Sequence, residues 1–270
     1  MTEAEFTAVL DEYRAAQKWL FSLVRDPHGQ RFFAPKTTAE RRTAMQEGMA
    51  RLADFLAFAG HPERACPAVY VAGTSGKGSV TMTLAALLKA IHPTQGVAHH
   101  TSPYLQEPLE KLVLNETWLA PSAFAELVAG FRAVHTAWAE QAGYDALRYG
   151  EAWVGLTFWW LAHTAVDWAV IEAGMGGRFD PTNLLPAELA IVTNVGWDHV
   201  GSLGPELTDI AWHKAGIIKN GKPVLTAVQA PALLSIIEKE AAEQDAPLWA
   251  LGREIRLERV GASHITVQTP

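Results

Sequence analysis

The fold of this chain is decided by one stretch, Val69-Tyr70-Val71-Ala72-Gly73-Thr74-Ser75-Gly76-Lys77-Gly78-Ser79-Val80. A short β-rich run leads into a glycine-dense loop, and an apolar helical pattern begins at Val80. The glycines allow successive backbone N–H groups to point inward, and the N-terminus of the helix adds partial positive charge. Lys77 adds a full positive charge, so the stretch predicts a loop that binds phosphate groups.

The spacing of this loop differs from the standard phosphate-loop pattern at two places. Val71 stands where the pattern has its first glycine, and Gly78 separates Lys77 from the hydroxyl of Ser79. An ordinary glycine-rich turn is the alternative, but a strand before the loop, a helix after it and a lysine beside Gly76 together favour nucleotide binding. The residues assigned to phosphate binding are Gly73, Thr74, Ser75, Gly76, Lys77, Gly78 and Ser79.

The composition of the 270-residue chain indicates a globular protein, since 49% of its residues are hydrophobic and ten are tryptophan. A net charge of −7 gives no general attraction to nucleic acid or anionic membranes, so neither is expected as a partner. The single Cys66 excludes an intrachain disulfide and fits a reducing cytosol. No secretory signal is visible, and the apolar segment from Ala152 to Ala162 is too short to cross a bilayer. We therefore expect a cytoplasmic protein.

Strand and helix patterns alternate along most of the chain, which predicts an α/β fold with a doubly wound, mostly parallel sheet flanked by helices. Residues 1–60 read as N-terminal helices packed on one side of this sheet. Residues 61–252 are predicted to form the phosphate-loop domain. A hairpin within 253–270 is predicted to lead towards a further domain.

Polar side chains follow four of the predicted strands. They are Ser102, Glu172, His199 and the phosphate loop with Lys77. Because ligands of parallel sheets bind beyond the carboxyl ends of the strands, we expect these groups to lie together. Carboxylate, hydroxyl and phosphate oxygens are hard ligands, so the sequence predicts a Mg²⁺ site at this edge.

Each of these side chains also has a structural interpretation. Glu172 is also compatible with a cap for the next turn, although the Gly-Met-Gly-Gly sequence after it favours a functional role. His199 is equally compatible with a solvated loop, and His99-His100 is interpreted as structural. Lys214 lies among apolar residues and is compatible with a lysine that extends along a helix to solvent. The segment Asp180–Asn183 has the composition of a turn.

Five motifs together resemble the folylpolyglutamate synthase/dihydrofolate synthase branch of the Mur ligases, whose central domain has the predicted fold. The motifs occur in the order and spacing of that branch over essentially the whole chain. They are Gly73–Ser79, Thr101–Leu105, Glu172–Asn183, Thr193–His199 and Ala211–Ile217.

The resemblance implies an ATP-dependent carboxylate–amine ligase. A substrate carboxylate attacks the γ-phosphate of ATP, and the amine of L-glutamate then displaces phosphate from the acyl phosphate. Lys77, His199 and Lys214 are the implied catalytic residues. One Mg²⁺ would be bound by Ser102 and Glu172, and a second by His199 and a carbamate formed on Lys214. The implied contacts with the pterin of a folate-type substrate are Asp180 and Asn183.

The chain departs from the family pattern in three motif positions on the substrate side: Tyr104, Lys111 and Pro181 stand where histidine, arginine and alanine are usual. The resemblance also implies a C-terminal Rossmann-like domain, either removed from this chain or supplied by another one. The isolated chain is therefore expected to be incomplete as an enzyme. Alternatives are a regulatory ATP-binding subunit, a ligase for a non-folate carboxylate, and a phosphate-loop kinase or other NTPase.

Overall fold

The computed structural model describes residues 2–25, 36–141, 143, 145–260 and 264–269. The α-helices in this part of the chain are α1 (Glu3–Ser22), α2 (Thr38–Phe58), α3 (Lys77–Ile91), α4 (Pro121–Gln141), α5 (Tyr149–Ala162), α6 (Val200–Leu203), α7 (Leu207–Ala215) and α8 (Pro231–Glu243). The strands are β1 (Ala68–Ala72), β2 (Val97–His100), β3 (Val113–Leu114), β4 (Thr117–Trp118), β5 (Trp168–Glu172), β6 (Leu189–Val192), β7 (Val224–Thr226), β8 (Leu248–Ala250), β9 (Arg256–Val260) and β10 (His264–Gln268).

An eight-stranded sheet with the order β4-β3-β2-β5-β1-β6-β7-β8 forms the centre of the fold. The strands from β2 to β8 in this order pair in parallel, and β3 and β4 add an antiparallel edge. The predicted mostly parallel sheet is thereby confirmed. Asn115 and Glu116 join β3 to β4, and both have the positive φ angles that a tight two-residue hairpin turn requires.

Strand β1 is buried along its whole length because helices cover both faces of the sheet there. Val69 and Val71 point into a small core beneath α3, while Tyr70 and Ala72 point into the larger core on the other face. That larger core includes residues of α1, α2, α4, α5 and α8, so the N-terminal helices pack on the sheet side opposite α3.

Local sequence explains where the two N-terminal helices begin. Thr2 and Glu5 form a reciprocal capping box at the start of α1, and Thr37 and Glu40 form one at the start of α2. The capping box predicted at Thr37 is confirmed. Strands β9 and β10 form a separate antiparallel pair, as predicted, while the turn expected at Gly261 lies outside the described residues.

Helix α5 is apolar on all sides and is buried in the larger core, as its sequence predicted. It carries one buried carboxylate, Glu151, which pairs with Arg51 of α2. The Arg51 Nε and Nη2 atoms donate to Glu151 Oε2 and Oε1 at 2.8 and 3.0 Å, and both side chains are 8% exposed. Among the described residues, no helix is long and apolar enough to span a membrane.

We expect Arg51→Met to lower the free energy of unfolding by about 3–5 kcal/mol, because it leaves the Glu151 carboxylate buried without its cation. The double variant Arg51→Met/Glu151→Gln should recover on the order of 1 kcal/mol or more, since no unpaired charge then remains. Chemical denaturation measures both values. Arg14→Met is the control, because the Arg14–Asp11 pair is exposed and should contribute less than about 1 kcal/mol. A double variant no more stable than Arg51→Met would contradict this account.

Candidate functional site

Three residues predicted to act together meet at the carboxyl ends of β1, β2 and β5. Glu172 Oε2 accepts a hydrogen bond from the backbone N–H of Ser102 at 3.0 Å, and Glu172 Oε1 lies 4.0 Å from Lys77 Nζ. Gly78 lies at the same point, where a Cβ atom would be 3.3 Å from Glu172 Oε2. Burial raises the pKa of Glu172, while the Ser102 N–H and the charges of Lys77 and Lys111 act in the opposite direction. The result is a buried carboxylate at the mouth of the phosphate loop.

The phosphate loop leaves β1 through a residue that must be glycine. Gly73 has a φ of +152°, and a Cβ atom there would lie 1.8 Å from Thr193 Oγ1. The close approach brings the segment after β6 against the loop. Downstream, Lys77, Gly78 and Ser79 form the first turn of α3, so their N–H groups have no carbonyl partner within the helix. Free N–H groups beside a lysine are the arrangement that suits an anion at a helix N-terminus, and we call these groups and Lys77 the phosphate cradle.

The segment after β6 holds the first half of the loop through side chains that the sequence did not reveal as functional. Asn194 Oδ1 accepts from the N–H groups of Thr74 and Ser75 at 3.2 and 2.9 Å, and Asn194 Nδ2 donates to Ser75 O at 3.1 Å. Thr193 Oγ1 also donates to Ser75 O, at 2.7 Å. Thr74 Oγ1 accepts from Gly196 N and donates to Gly196 O. The segment after β6 therefore fixes the backbone of the phosphate loop at Thr74 and Ser75.

A cavity of about 380 Å³ opens beside Ser102. It is lined by His100, Ser102, Pro103, Tyr104, Lys111, Tyr149, Gly150, Trp153, Val154, Gly174, Met175, Asp180, Pro181 and Thr182. Lys111 is its buried cation. Lys111 Nζ donates to Ser102 Oγ at 3.4 Å and lies 5.7 Å from the centroid of the Trp153 ring. Burial lowers the pKa of Lys111 to about 8, against the opposing effects of Glu172 and Asp180.

Asp180 and Asn183, both predicted to contact a substrate, have different positions. Asp180 lines the cavity, and its carboxylate accepts from Met175 N at 2.8 Å and from Thr182 N at 2.9 Å. Asn183 does not line the cavity. Its Nδ2 donates to the carbonyls of Arg178 and Gly216, and its Oδ1 accepts from Lys219 Nζ at 2.8 Å. In this structure the Asn183 amide therefore braces its loop against the end of α7, and its contact with a substrate stays a prediction.

Lys214 and His199 are joined through a residue that was not among the predicted ligands. The Lys214 side chain is 0% exposed, and its Nζ donates to Asp198 Oδ2 at 3.1 Å. The alternative of a lysine that reaches solvent is therefore wrong. Burial lowers the pKa of Lys214, while Asp198 opposes this change. His199 Nε2 lies 3.4 Å from Asp198 Oδ1, and the imidazole is 53% exposed.

The tandem histidines of β2 point to opposite faces of the sheet. His100 is buried beside the cavity, where its Nδ1 hydrogen-bonds with Thr157 Oγ1 at 3.1 Å, and burial lowers its pKa well below the usual value. His99 lies at a separate small cavity near Glu116 and Trp118. Among the described residues no group of three or more His, Cys, Asp or Glu side chains is arranged to hold a metal ion.

Comparison with known proteins places this site in a family. The chain is 33% identical over 240 residues to the dihydrofolate synthase/folylpolyglutamate synthase of Bacillus subtilis. This match covers 88% of this chain and 51% of that protein. It is 33% identical over 193 residues to the folylpolyglutamate synthase of Lacticaseibacillus casei, and this match covers 71% of this chain and 44% of that protein. The chain belongs to the folylpolyglutamate synthase/dihydrofolate synthase family. It spans about half the length of the curated relatives it matches. No protein-family model matches it.

Solved structures of folylpolyglutamate synthases have the same fold. A complex with AMPPCP and folate has a TM-score of 0.76 at 27% identity, and the match covers 86% of this chain and 59% of that one. The Mycobacterium tuberculosis enzyme complexed with ADP also has a TM-score of 0.76, at 26% identity, covering 96% and 55%.

We expect Asn194→Ala to weaken binding of AMPPCP·Mg²⁺ about tenfold or more, because it removes three hydrogen bonds that fix the cradle backbone, each contributing about 1 kcal/mol. Isothermal titration calorimetry measures the change. Asn220→Ala is the matched control, since the amide of Asn220 bonds only to Gln244 O on the exposed turn after α7 and should leave affinity unchanged. Equal affinity of Asn194→Ala and the parent chain would show that the cradle keeps its shape without this amide.

Proposed function

We propose that this chain carries the ATP-binding portion of a ligase that joins L-glutamate to the carboxylate of a folate-type substrate. The observation that carries the proposal is the meeting of a phosphate cradle, a buried carboxylate and a ring-sized cavity at one edge of the sheet. Relatives named folylpolyglutamate synthase, one of them in complex with AMPPCP and folate, support the same assignment. The expected cytoplasmic location belongs to this proposal.

The phosphate cradle is assigned to the triphosphate of ATP. Lys77 is the first residue of α3, so its side chain and the N–H groups of the first turn would together stabilise the charge that spreads over the transferring phosphoryl group. The substrate carboxylate oxygen attacks the γ-phosphorus, and ADP leaves with the electron pair of the broken P–O bond. The glutamate amine then attacks the acyl carbon and phosphate leaves, which forms the amide.

The residues around Glu172 fit a Mg²⁺ ion. A buried carboxylate with a raised pKa and a hydroxyl, Ser102 Oγ, are hard oxygen donors on adjacent strands. The absence of a side chain at Gly78 leaves the approach to Glu172 Oε2 open. When bound, the ion would neutralise phosphate charge. Ser102 and Glu172 are therefore proposed to hold it.

The residues around Lys214 fit a second Mg²⁺ only after a chemical change. As an ammonium bonded to Asp198, Lys214 would repel a cation. A carbamate on Nζ would instead supply an anionic oxygen next to His199. Neutral Nζ forms its bond to the carbon of CO₂ and loses a proton, and Asp198 Oδ2 at 3.1 Å is placed to accept it. We propose that Lys214 carries this modification in the active protein.

A ligase of the same chemistry that acts on a different carboxylate is the second candidate. It is favoured by one observation: the three residues that depart from the family pattern, Tyr104, Lys111 and Pro181, all line the same cavity. The test of both candidates is acceptor- and glutamate-dependent release of phosphate from ATP by the complete enzyme, because the isolated chain spans about half the length of its relatives. Turnover with dihydropteroate or a reduced folate supports the first, and turnover only with other aryl carboxylates supports the second.

We expect Lys77→Ala to weaken binding of ATP·Mg²⁺ or abolish phosphoryl transfer while leaving the fold intact, because this side chain supplies charge at a loop rather than core packing. Calorimetry and ATP turnover measure the two effects. The matched control is Lys89→Ala on the same helix, since Lys89 Nζ bonds only to the Pro93 and Gln95 carbonyls. Unchanged affinity and turnover in Lys77→Ala would remove Lys77 from this role.

In the complete enzyme, we expect Lys214→Ala to be nearly inactive and to recover partly with acetate, which replaces the missing carboxylate group. In the parent protein, ¹³C-labelled bicarbonate should give a carbamate signal in the NMR spectrum that Lys214→Ala lacks. Lys222→Ala, at an exposed lysine paired with Glu188, is the control for both readouts. A high-resolution map of the nucleotide·Mg²⁺ complex with an unmodified Lys214 bonded to Asp198 would contradict the modification.

A further inference from the structure

Lys111 is a buried cation without a close counter-charge. It ends the short 3₁₀ helix Pro108–Lys111 and is 8% exposed. Within the described part of the chain, no carboxylate oxygen lies within 4.0 Å of its Nζ. Its recorded contacts are the hydroxyl of Ser102 and the face of Trp153.

The two carboxylates nearest to Lys111 are occupied by other donors. Glu172 Oε2 accepts from Ser102 N, and Glu172 Oε1 faces Lys77 at the phosphate loop. The Asp180 carboxylate accepts from the backbone N–H groups of Met175 and Thr182. Both carboxylates act on Lys111 only from beyond 4.0 Å, so no carboxylate of the described residues pairs directly with its ammonium. Burying an unpaired charge is costly, and the cost falls when an anion binds beside it.

The surroundings of Lys111 indicate which kind of anion would bind beside it. The cavity wall beyond it contains the aromatic rings of Tyr104, Tyr149 and Trp153, which suit a flat ring. In the other direction, Ser102 leads to Glu172 and the phosphate loop. A ligand with an aromatic ring in the cavity and a carboxylate at Lys111 would therefore present that carboxylate towards the γ-phosphate.

We propose that Lys111 binds the reacting carboxylate of the acceptor substrate and thereby selects aryl carboxylates over uncharged analogues. The inference rests on the proposed function for the ATP half of the reaction. Lys111 Nζ donates to one carboxylate oxygen, and the other oxygen stays free to attack the γ-phosphorus. A charge-assisted hydrogen bond in a buried site discriminates strongly between an anion and a neutral group.

The experiment compares the binding of pteroate and of its neutral carboxamide in the presence of AMPPCP·Mg²⁺. The parent chain should bind pteroate about 10- to 100-fold more tightly than the carboxamide, as expected for one charge-assisted hydrogen bond. Lys111→Met keeps the length of the side chain and removes its charge, so pteroate should fall to the affinity of the carboxamide, whose own affinity should not change. Lys111→Arg should retain the preference, since it retains a cation.

Lys219→Met is the matched control. Lys219 is also a partly buried lysine with a pKa lowered to about 8 by burial, but it bonds to Asn183 rather than lining the cavity. Its substitution should leave the preference for pteroate intact.

Three outcomes would overturn the inference. They are equal affinity of the parent chain for acid and amide, an undiminished preference in Lys111→Met, and loss of the preference in Lys219→Met. The first needs no variant, so the inference stays testable even if Lys111→Met does not fold. Failure of the proposed function has a different signature: the parent chain then binds neither pteroate nor AMPPCP.

Discussion

The parallel pairing of β1 with β5 and β6 is the constraint on which the whole site depends. In this register Val71 lies opposite Glu172, and Ala72 lies opposite Val192. The strands therefore end together, and each polar residue that follows a strand emerges at the same edge. Burial of β1 on both faces fixes the register, because a one-residue slip would exchange the residues facing the two cores. Packing in the core thus sets distances at the site.

The phosphate cradle is not a self-contained motif in this protein. The loop after β1 depends on Thr193, Asn194 and Gly196 for the hydrogen bonds that hold its first half. Its second half is the first turn of α3, whose free N–H groups remain for a ligand. The first half of the loop is therefore held in place by the segment after β6, whereas the second half has N–H groups without partners in the helix. A change after β6 would consequently alter the shape of the loop without changing any residue of the loop itself.

Sequence reasoning predicted what depends on local pattern and missed what depends on side-chain direction. The parallel sheet, the α2 capping box and the meeting of Lys77, Ser102 and Glu172 follow from periodicity and from the geometry of parallel strands. The bracing bonds of Asn183 could not be predicted, because an amide in a turn can bond either to a ligand or to the protein, and its partner Lys219 lies 36 positions later. Asp198 was likewise missed, since its contact with Lys214 arises only when α7 packs.

The chain carries a net charge of −7, yet lysines converge on its functional edge. Lys77 faces Glu172 and also lowers the pKa of Lys214, which places both lysines near the same point. Their surroundings give them different roles. Lys77 lies beside the Glu172 carboxylate at the phosphate loop, and Lys214 is buried against Asp198. Lys111 has no carboxylate within 4.0 Å among the described residues. On a chain with net negative charge, such a locally basic edge attracts an anion through its position, because the overall charge gives no general attraction.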